Sequence, residues 1–176
     1  MKLLHAKFLA GLGLVLLLAG CAGIPDGVSA VNGFELRRYL GTWHEIARLD
    51  HSFERGLTRI TADYSLGANG AVKVVNRGYD AQDREWKEAE GKAYFVENPS
   101  VGRLKVSFFG PFYGGYNIVE LDRENYAYSL VAGPSRDYLW ILARNKTLEP
   151  AVLERLIGKA KSLGFPVEHL IYPQAE

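Results

Sequence analysis

The sequence predicts an all-β fold: an eight-stranded antiparallel meander, sandwich or barrel with one C-terminal α-helix packed outside it. Three observations support this fold class. Apolar and polar residues alternate over short runs, turn-forming residues separate these runs at near-even spacing, and one stretch alone has apolar residues at helical spacing. Eight antiparallel strands in an open sheet would leave two unpaired edges, and closing the sheet into a barrel removes both.

Short connections join the predicted strands. The second strand has the clearest pattern, because its apolar residues alternate with polar ones and the sequence GANG at 67–70 is typical of a hairpin turn. Polar, Gly-rich or Pro-containing segments bound the later strands in the same way. The predicted strands cover residues 42–49, 59–66, 72–79, 85–96, 103–109, 116–121, 126–132 and 138–143.

Two strands have no clear inward face. The first contains Trp43 and Ile46, which cannot share a face without a bulge. The fourth carries Glu88 and Glu90 on one face and small residues on the other, so its orientation stays open. Paired carboxylates can support acid–base hydrolysis, but a solvated strand face is the simpler interpretation of this pair.

Residues 147–164 predict one helix. Thr147 can cap it, Pro150 suits its first turn, and Gly164 can end it. The periodicity gives the helix a single apolar side, so it must lie on an apolar surface. This side consists of Val152, Leu153, Leu156, Ile157, Ala160 and Leu163.

The last predicted strand is apolar on both faces, so both faces should be covered. We expect the helix to pack outside the barrel on Leu139 and Ile141, while Trp140 faces inward. After the helix, the alternation over residues 167–172 predicts a ninth strand.

The N-terminus is typical of a secretory signal. Lys2 and Lys7 precede an apolar core over residues 8–18 and then small residues. A membrane-spanning helix, the alternative, needs about 20 apolar residues, which is longer than this core.

LAGC at 18–21 resembles the lipobox of bacterial lipoproteins. In that family the cysteine is acylated and becomes the first residue of the mature chain, so the resemblance implies a lipid anchor on Cys21. In many bacterial lipoproteins an Asp directly after the cysteine retains the protein at the inner membrane. This chain has Ala22 at that position, so the resemblance implies that the protein is located at the outer membrane, with the domain facing the periplasm. We therefore divide the chain into a lipoprotein signal peptide (1–20), a lipid-anchored tether (21–32) and a single domain (33–176).

Composition argues against several classes of function. Two of the 21 Lys and Arg residues lie in the signal, so 19 remain beside 20 Asp and Glu residues and the mature chain is nearly neutral. We expect no nucleic-acid partner, because no basic block is present to contact phosphates. One cysteine and no His-x-x-x-His spacing predict no intrachain disulfide, metal site or cofactor. Without a Gly-x-Ser-x-Gly motif, we expect no enzyme.

The sequence GTWHEIAR, Gly41–Arg48, resembles the Gly-x-Trp signature of the lipocalins, and NGFELRRYLGTW resembles the short helix before their first strand. FERG at 53–56, YSLGANG at 64–70, LKVSFFGPFYGGYNI at 104–118 and DYLWILAR at 137–144 resemble the bacterial lipocalins, a lipoprotein branch close to apolipoprotein D. The resemblance covers about residues 33–172. It implies an eight-stranded up-and-down antiparallel lipocalin barrel that is plugged at one end and opens at the other into an apolar cup.

The resemblance also implies structural roles. Gly41 and Trp43 belong to the signature, Trp43 would sit in the plug, and Arg144 would stack on its indole. A weakly hydrated, planar guanidinium over an indole gains about 0.5–2 kcal/mol. His44 and Lys146 differ from the residues usual in the family. These differences bear on the detailed structure of the loops at the closed end and not on the barrel.

Alternation and the resemblance select the same inward faces. Besides the ligand-binding residues named at the end of this paragraph, alternation places eight further residues inside the barrel: Ile60, Ala62, Leu66, Val72, Leu104, Ile118, Tyr138 and Leu142. Each aromatic residue either contacts a ligand or simply packs in the core. Asn76 either bonds a ligand headgroup or makes a hydrogen bond within the sheet. The predicted ligand-binding residues are Tyr64, Val74, Asn76, Val106, Phe108, Tyr116 and Trp140.

The resemblance implies a lipid-anchored protein that binds and stores or transports a small amphiphilic lipid, a fatty acid or a lysophospholipid. Two alternatives stay open: a lipid-modifying enzyme on the same barrel, and a structural lipoprotein whose barrel is filled by its own side chains. Residues 108–116, rich in glycine and aromatics, are a candidate mobile rim of the cup, a contact in a homodimer, or an ordinary hairpin loop.

Overall fold

The computed structural model describes residues 22–173, so the predicted signal peptide and Cys21 lie outside the described residues. Eight antiparallel strands form a closed barrel in chain order, in which the first strand pairs with both the second and the eighth. The predicted fold class is confirmed. The strands are β1 (Gly41–Arg48), β2 (Leu57–Leu66), β3 (Val72–Asp80), β4 (Glu85–Phe95), β5 (Arg103–Ser107), β6 (Gly114–Leu121), β7 (Tyr128–Ala132) and β8 (Leu139–Ala143).

The register between β3 and β4 gives β4 the inward face that the sequence leaves open. Ala89, Gly91 and Ala93 lie opposite inward-facing residues of β3, and directly opposed residues of antiparallel strands share a face. This strand therefore directs only small side chains into the interior over these positions.

The outer face of the same pair of strands is charged. Glu88 pairs with Arg77 at 2.9 Å, and Glu90 pairs with Lys73 at 2.8 Å, all four side chains being largely exposed. The two carboxylates thus take part in cross-strand ion pairs on the solvated face and do not form a site with each other.

Strand β1 contains a bulge, but Trp43 and Ile46 face opposite sides of the sheet, as strict alternation predicts. The register of β1 with β8 shifts between Glu45 and Ala47. Trp43 joins the inner core cluster, and the bulge places the consecutive residues Ile46 and Ala47 together in the cluster on the outside of the barrel. The shift also buries the charged side chain of Arg48, which is 1% exposed.

Helix α2 (Pro150–Ser162) packs on the outside of the barrel, as predicted. Leu156 and Ala160 are fully buried and belong to one core cluster with Leu139 and Ile141. This cluster covers the outward face of β8, which explains why that strand is apolar on both faces.

The ends of α2 differ partly from the prediction. Thr147 does not cap the helix, because Glu149 occupies the N-cap position, with no side-chain hydrogen bond to the first turn, and Pro150 follows it directly. At the other end Gly164 has φ +81°, the left-handed conformation that glycine adopts most readily after a helix.

The prediction of a ninth strand over residues 167–172 is wrong. Val167–His169 forms a single 3₁₀ turn, and only Ile171 pairs with a strand, through two backbone hydrogen bonds to Arg48 of 3.0 and 2.9 Å. Because β1 and β8 pair with each other, the closed sheet offers this segment no free edge.

Residues 22–32, expected as a tether, lie along the outer wall of the barrel. The Val31 amide donates to the carbonyl oxygen of Ile118 at 2.8 Å. Asn117 Nδ2 donates to the carbonyl oxygen of Gly23 at 3.1 Å. These bonds fix the segment to β6 at two points along its length.

The closed end is built around Trp43, which is fully buried. Helix α1 (Leu36–Tyr39) precedes β1, and Trp43 Nε1 donates to the Tyr39 carbonyl oxygen at 2.8 Å. The guanidinium carbon of Arg144 lies 4.0 Å from the indole centroid, and its nitrogens donate to three backbone carbonyls. Gly41 has φ +91°, and a Cβ there would lie 3.5 Å from Arg144 Nη1.

Trp43→Ala should lower the free energy of unfolding by about 3–5 kcal/mol, because it leaves a cavity in the plug and removes the surface on which Arg144 stacks. Urea unfolding followed by circular dichroism measures this change. The matched control is Trp86→Ala, since Trp86 is largely exposed and should cost about 1 kcal/mol or less. Equal losses for the two variants would contradict a structural role for the plug.

Candidate ligand-binding cavity

The barrel encloses a cavity of about 1330 Å³. The cavity opens between the loops of residues 49–56, 81–84, 108–113 and 133–138, at the end opposite Trp43. The interior is therefore not filled by its own side chains, which argues against the structural-lipoprotein alternative. All seven residues predicted to bind a ligand line the cavity: Tyr64, Val74, Asn76, Val106, Phe108, Tyr116 and Trp140.

Two residues that alternation places inside do not line the cavity. Leu66 is 56% exposed, because β2 ends there, beyond the closed end of the barrel. Ile118 is fully buried, but it packs in the core beside Gly102, whose Cβ would lie 3.1 Å from that of Ile118.

The floor of the cavity is a hydrogen-bonded tyrosine cluster. The Tyr116 hydroxyl lies 2.8 Å from both the Tyr39 and the Tyr64 hydroxyls, and Tyr39 also lies 3.1 Å from Ser129 Oγ. Burial raises the pKa of Tyr39 to about 12 and the pKa values of Tyr64 and Tyr116 well above their usual range. The floor is therefore neutral at physiological pH.

Two polar residues of the cavity wall, Asn76 and Ser107, lie among mostly apolar ones. Asn76 Oδ1 and Ser107 Oγ are buried and have no hydrogen-bond partner within the described residues. Buried polar groups normally have a partner, and both residues line the cavity, so these unpaired atoms are candidate partners for a polar group of a ligand. Gly91 makes room for Phe108, because a Cβ on Gly91 would lie 2.8 Å from Phe108 Cδ1.

A buried charged group forms part of the wall nearer the mouth. Arg48 Nη1 donates to Glu45 Oε1 at 2.7 Å, and Arg48 Nη2 donates to the Glu54 carbonyl oxygen at 2.8 Å. Glu54 Oε2 lies 2.9 Å from His51 Nε2 and accepts from Trp140 Nε1 at 3.1 Å. Trp140 is thus held by a carboxylate while its ring faces the cavity.

The two carboxyls of this wall have pKa values that move in opposite directions. Burial and the nearby Glu54 charge raise the pKa of Glu45, although Arg48 opposes them. Burial also disfavours ionised Glu54, but the bond and charge of His51, together with Trp140 and Arg48, outweigh it and lower the pKa of Glu54. The wall therefore has one carboxyl held ionised and one held closer to neutral.

Sequence reasoning missed Tyr39 and this charged wall. Tyr39 lies on the short helix α1, where strand alternation gives no signal. Glu45 faces inward with Trp43 by simple alternation, so the parity of Trp43 is the signal that could have revealed it. Arg48 faces inward only because of the bulge between Glu45 and Ala47.

The signature residues lie apart from the cavity. Gly41, Trp43 and Arg144 form the plug beneath it and do not line it. Between residues 22 and 173, no group of three or more His, Cys, Asp or Glu side chains is placed to share a metal ion.

Comparison with known proteins identifies the family. The family described as "Lipocalin-like domain" matches residues 34–175. The chain is a lipocalin. Curated relatives named "Outer membrane lipoprotein Blc" are 55% identical in Vibrio cholerae, covering 91% of this chain and 94% of that protein, and 53% identical in Escherichia coli K12, covering 85% and 84%. Mouse "Apolipoprotein D" is more distant, at 34% identity over 78% of this chain and 75% of its own.

Solved lipocalin structures agree with the fold. Insecticyanin from the tobacco hornworm Manduca sexta superposes with a TM-score of 0.67 at 20% identity, covering 86% of each chain. At that identity the likeness supports the barrel alone. The similarity to outer-membrane relatives confirms the expected location of this lipocalin at the bacterial outer membrane. Across residues 22–173, no helix is both long and apolar enough to span a bilayer.

The raised pKa of Tyr39 predicts a loss of stability at high pH. The folded state holds this proton more tightly than the unfolded state, so the contribution is complete below about pH 10 and is lost as the pH rises to about 12. Tyr39→Phe removes this ionisation. We expect the free energy of unfolding, measured with urea at a series of pH values, to fall by up to about 3 kcal/mol more in the parent than in Tyr39→Phe across this interval. Parallel pH profiles would contradict the burial of this hydroxyl.

Proposed function

We propose that this lipocalin binds one amphiphilic lipid, a fatty acid or a lysophospholipid, and stores or transports it at the outer membrane, where an acylated Cys21 anchors the protein. The observation that carries the proposal is the open apolar cavity of about 1330 Å³ inside the barrel. Its size exceeds the range of about 300–1,000 Å³ usual for small-molecule pockets, and so suits a long hydrocarbon tail.

The driving force is the transfer of the tail out of water. Each buried methylene contributes about 0.8 kcal/mol, so about ten of them contribute about 8 kcal/mol before the cost of ordering the ligand. Before that cost, such a free energy corresponds to a dissociation constant of about 1 μM, and the cost of ordering weakens the binding. Val74, Val106 and Phe108 supply the apolar contacts for the tail.

The polar end of the lipid has a candidate partner in Asn76. Its side-chain oxygen is buried and unpartnered within the described residues, whereas the three floor tyrosines already bond one another. A lipid headgroup that bonds Asn76 would satisfy a polar atom that otherwise stays unpaired, which favours an amphiphile over a plain hydrocarbon.

The anchor is supported by sequence and by relatives. LAGC at 18–21 has the pattern of a lipobox, and curated relatives with 53–55% identity are named lipoproteins. Two or more acyl chains on Cys21 would hold the protein stably on a bilayer.

A lipid-modifying enzyme is the second candidate, and one observation favours it. Glu45 and Glu54 line the cavity with pKa values displaced in opposite directions, which is how acid and base groups are arranged in many enzymes. Binding is the stronger proposal, because Arg48, His51 and Trp140 already engage these carboxylates.

Titration with a fluorescent fatty acid tests the binding proposal. Asn76→Ala should weaken binding by about tenfold, the value of one buried hydrogen bond, while leaving the fold intact. Asn145→Ala is the matched control, since Asn145 is exposed, and it should bind like the parent. An absence of saturable binding by the parent would contradict the proposed function; an unchanged affinity of Asn76→Ala would contradict the role of Asn76.

A further inference from the structure

We propose that the open end of the barrel faces the lipid leaflet that holds the acylated Cys21, and that the loop of residues 108–113 inserts into the surface of that leaflet. The inference rests on the proposed anchor and goes beyond it, because an anchor on a free tether would leave the barrel in any orientation.

Ala22 and Gly23, the first residues that the structure describes, lie at the mouth of the barrel. Gly23 lines the mouth of the cavity. A Cβ added to Gly115 would lie 2.2 Å from the carbonyl oxygen of Gly23, so the two backbones are in direct contact. Gly115 lies at the start of β6, immediately after the loop of residues 108–113. The bond from Cys21 to Ala22 separates their Cα atoms by only about 3.8 Å, so the anchor and this loop are neighbours.

The segment that follows cannot swing away from the barrel. It descends along the outer wall, where Val31 accepts from the Gly102 amide at 2.8 Å. Asn32 then bridges to Val101 near the closed end. Because the segment is fixed along this path, the acyl chains on Cys21 must enter the bilayer beside the mouth, and the closed end points away from it.

The loop of residues 108–113 has the composition of a segment that inserts into lipid. Its sequence, Phe-Phe-Gly-Pro-Phe-Tyr, contains no charge. Phe109 is 80% exposed and Phe112 is 79% exposed. Large exposed apolar side chains that cluster at one site mark an interaction surface, and a bilayer next to the anchor supplies the apolar partner.

Another part of the open end suits the headgroup region. The Arg59 guanidinium carbon lies 4.0 Å from the Tyr79 ring centroid and 5.2 Å from the Trp86 ring centroid. Tyr, Trp and Arg are typical of membrane–water interfaces, where an apolar body meets a polar tip. In this orientation a lipid passes between leaflet and cavity without exposing its tail to water.

The experiment places a tryptophan reporter at each end of the full-length, processed lipoprotein. Phe112→Trp reports on the mouth. Leu66→Trp is the matched control, because Leu66 is an exposed apolar residue at the closed end, outside the cavity. Each protein is reconstituted in phosphatidylcholine vesicles with either ordinary or brominated acyl chains, and the emission of the parent protein is subtracted.

Brominated lipid should quench the added emission of Phe112→Trp and leave that of Leu66→Trp unchanged. Added salt should not reduce the quenching, since the loop is uncharged. Equal quenching at both positions, stronger quenching at Leu66→Trp, or quenching at neither would overturn the inference. If Phe112→Trp is unquenched and replacing Phe109 and Phe112 by Ser converts a dimer to a monomer in light scattering, the rim is a contact between two copies and the inference is overturned.

Two readouts separate this inference from the proposed function. Retention of the parent protein on sedimenting vesicles reports the anchor, and uptake of a fluorescent fatty acid by Leu66→Trp in the same vesicles reports binding. If both succeed while Phe112→Trp is unquenched, the orientation alone fails. If the protein leaves the vesicles, the proposed anchor fails and the inference fails with it.

Discussion

The hollow interior of the barrel depends on the size of the side chains that β4 directs inward. A barrel of eight strands is only just wide enough to hold side chains or one small ligand. The small side chains of Ala89, Gly91 and Ala93 occupy little of that width, and the absence of a Cβ on Gly91 lets Phe108 lie close against the strand. The plug around Trp43 closes one end, so the space becomes a cup with a single opening.

The polar groups inside the cup are arranged so that few of them remain available. The floor tyrosines bond one another and stay protonated because they are buried. The charged groups on the wall already have partners, because Arg48 pairs with Glu45, and His51 and Trp140 engage Glu54. What remains is an apolar surface with an unpartnered oxygen on Asn76, and this combination matches a molecule with a long tail and one polar end. Binding by such a cup needs no chemistry beyond burial and one hydrogen bond.

Much of the fold and many of the cavity-lining residues could be predicted from the sequence, and the exceptions have physical causes. Period-two alternation fixes which residues of a regular strand face inward, so the cavity positions on β2, β3, β5, β6 and β8 were identifiable. Alternation fails where the backbone is irregular: the bulge in β1 turns Arg48 inward, and the end of β2 leaves Leu66 in solvent. Alternation also does not reveal whether a sheet is closed. Residues 167–172 therefore resemble a strand, although the closed barrel has no free edge with which they could pair. The contacts of residues 22–32 with the barrel depend on distant backbone groups that no local pattern reveals.

The measurement that tests the central claim most directly is calorimetric titration of a series of saturated fatty acids of increasing chain length. If the tail leaves water for an apolar hollow, each added methylene should raise the affinity by up to about fourfold until the cavity is filled, equivalent to about 0.8 kcal/mol, with a negative heat-capacity change. An affinity that does not change with chain length would contradict the account.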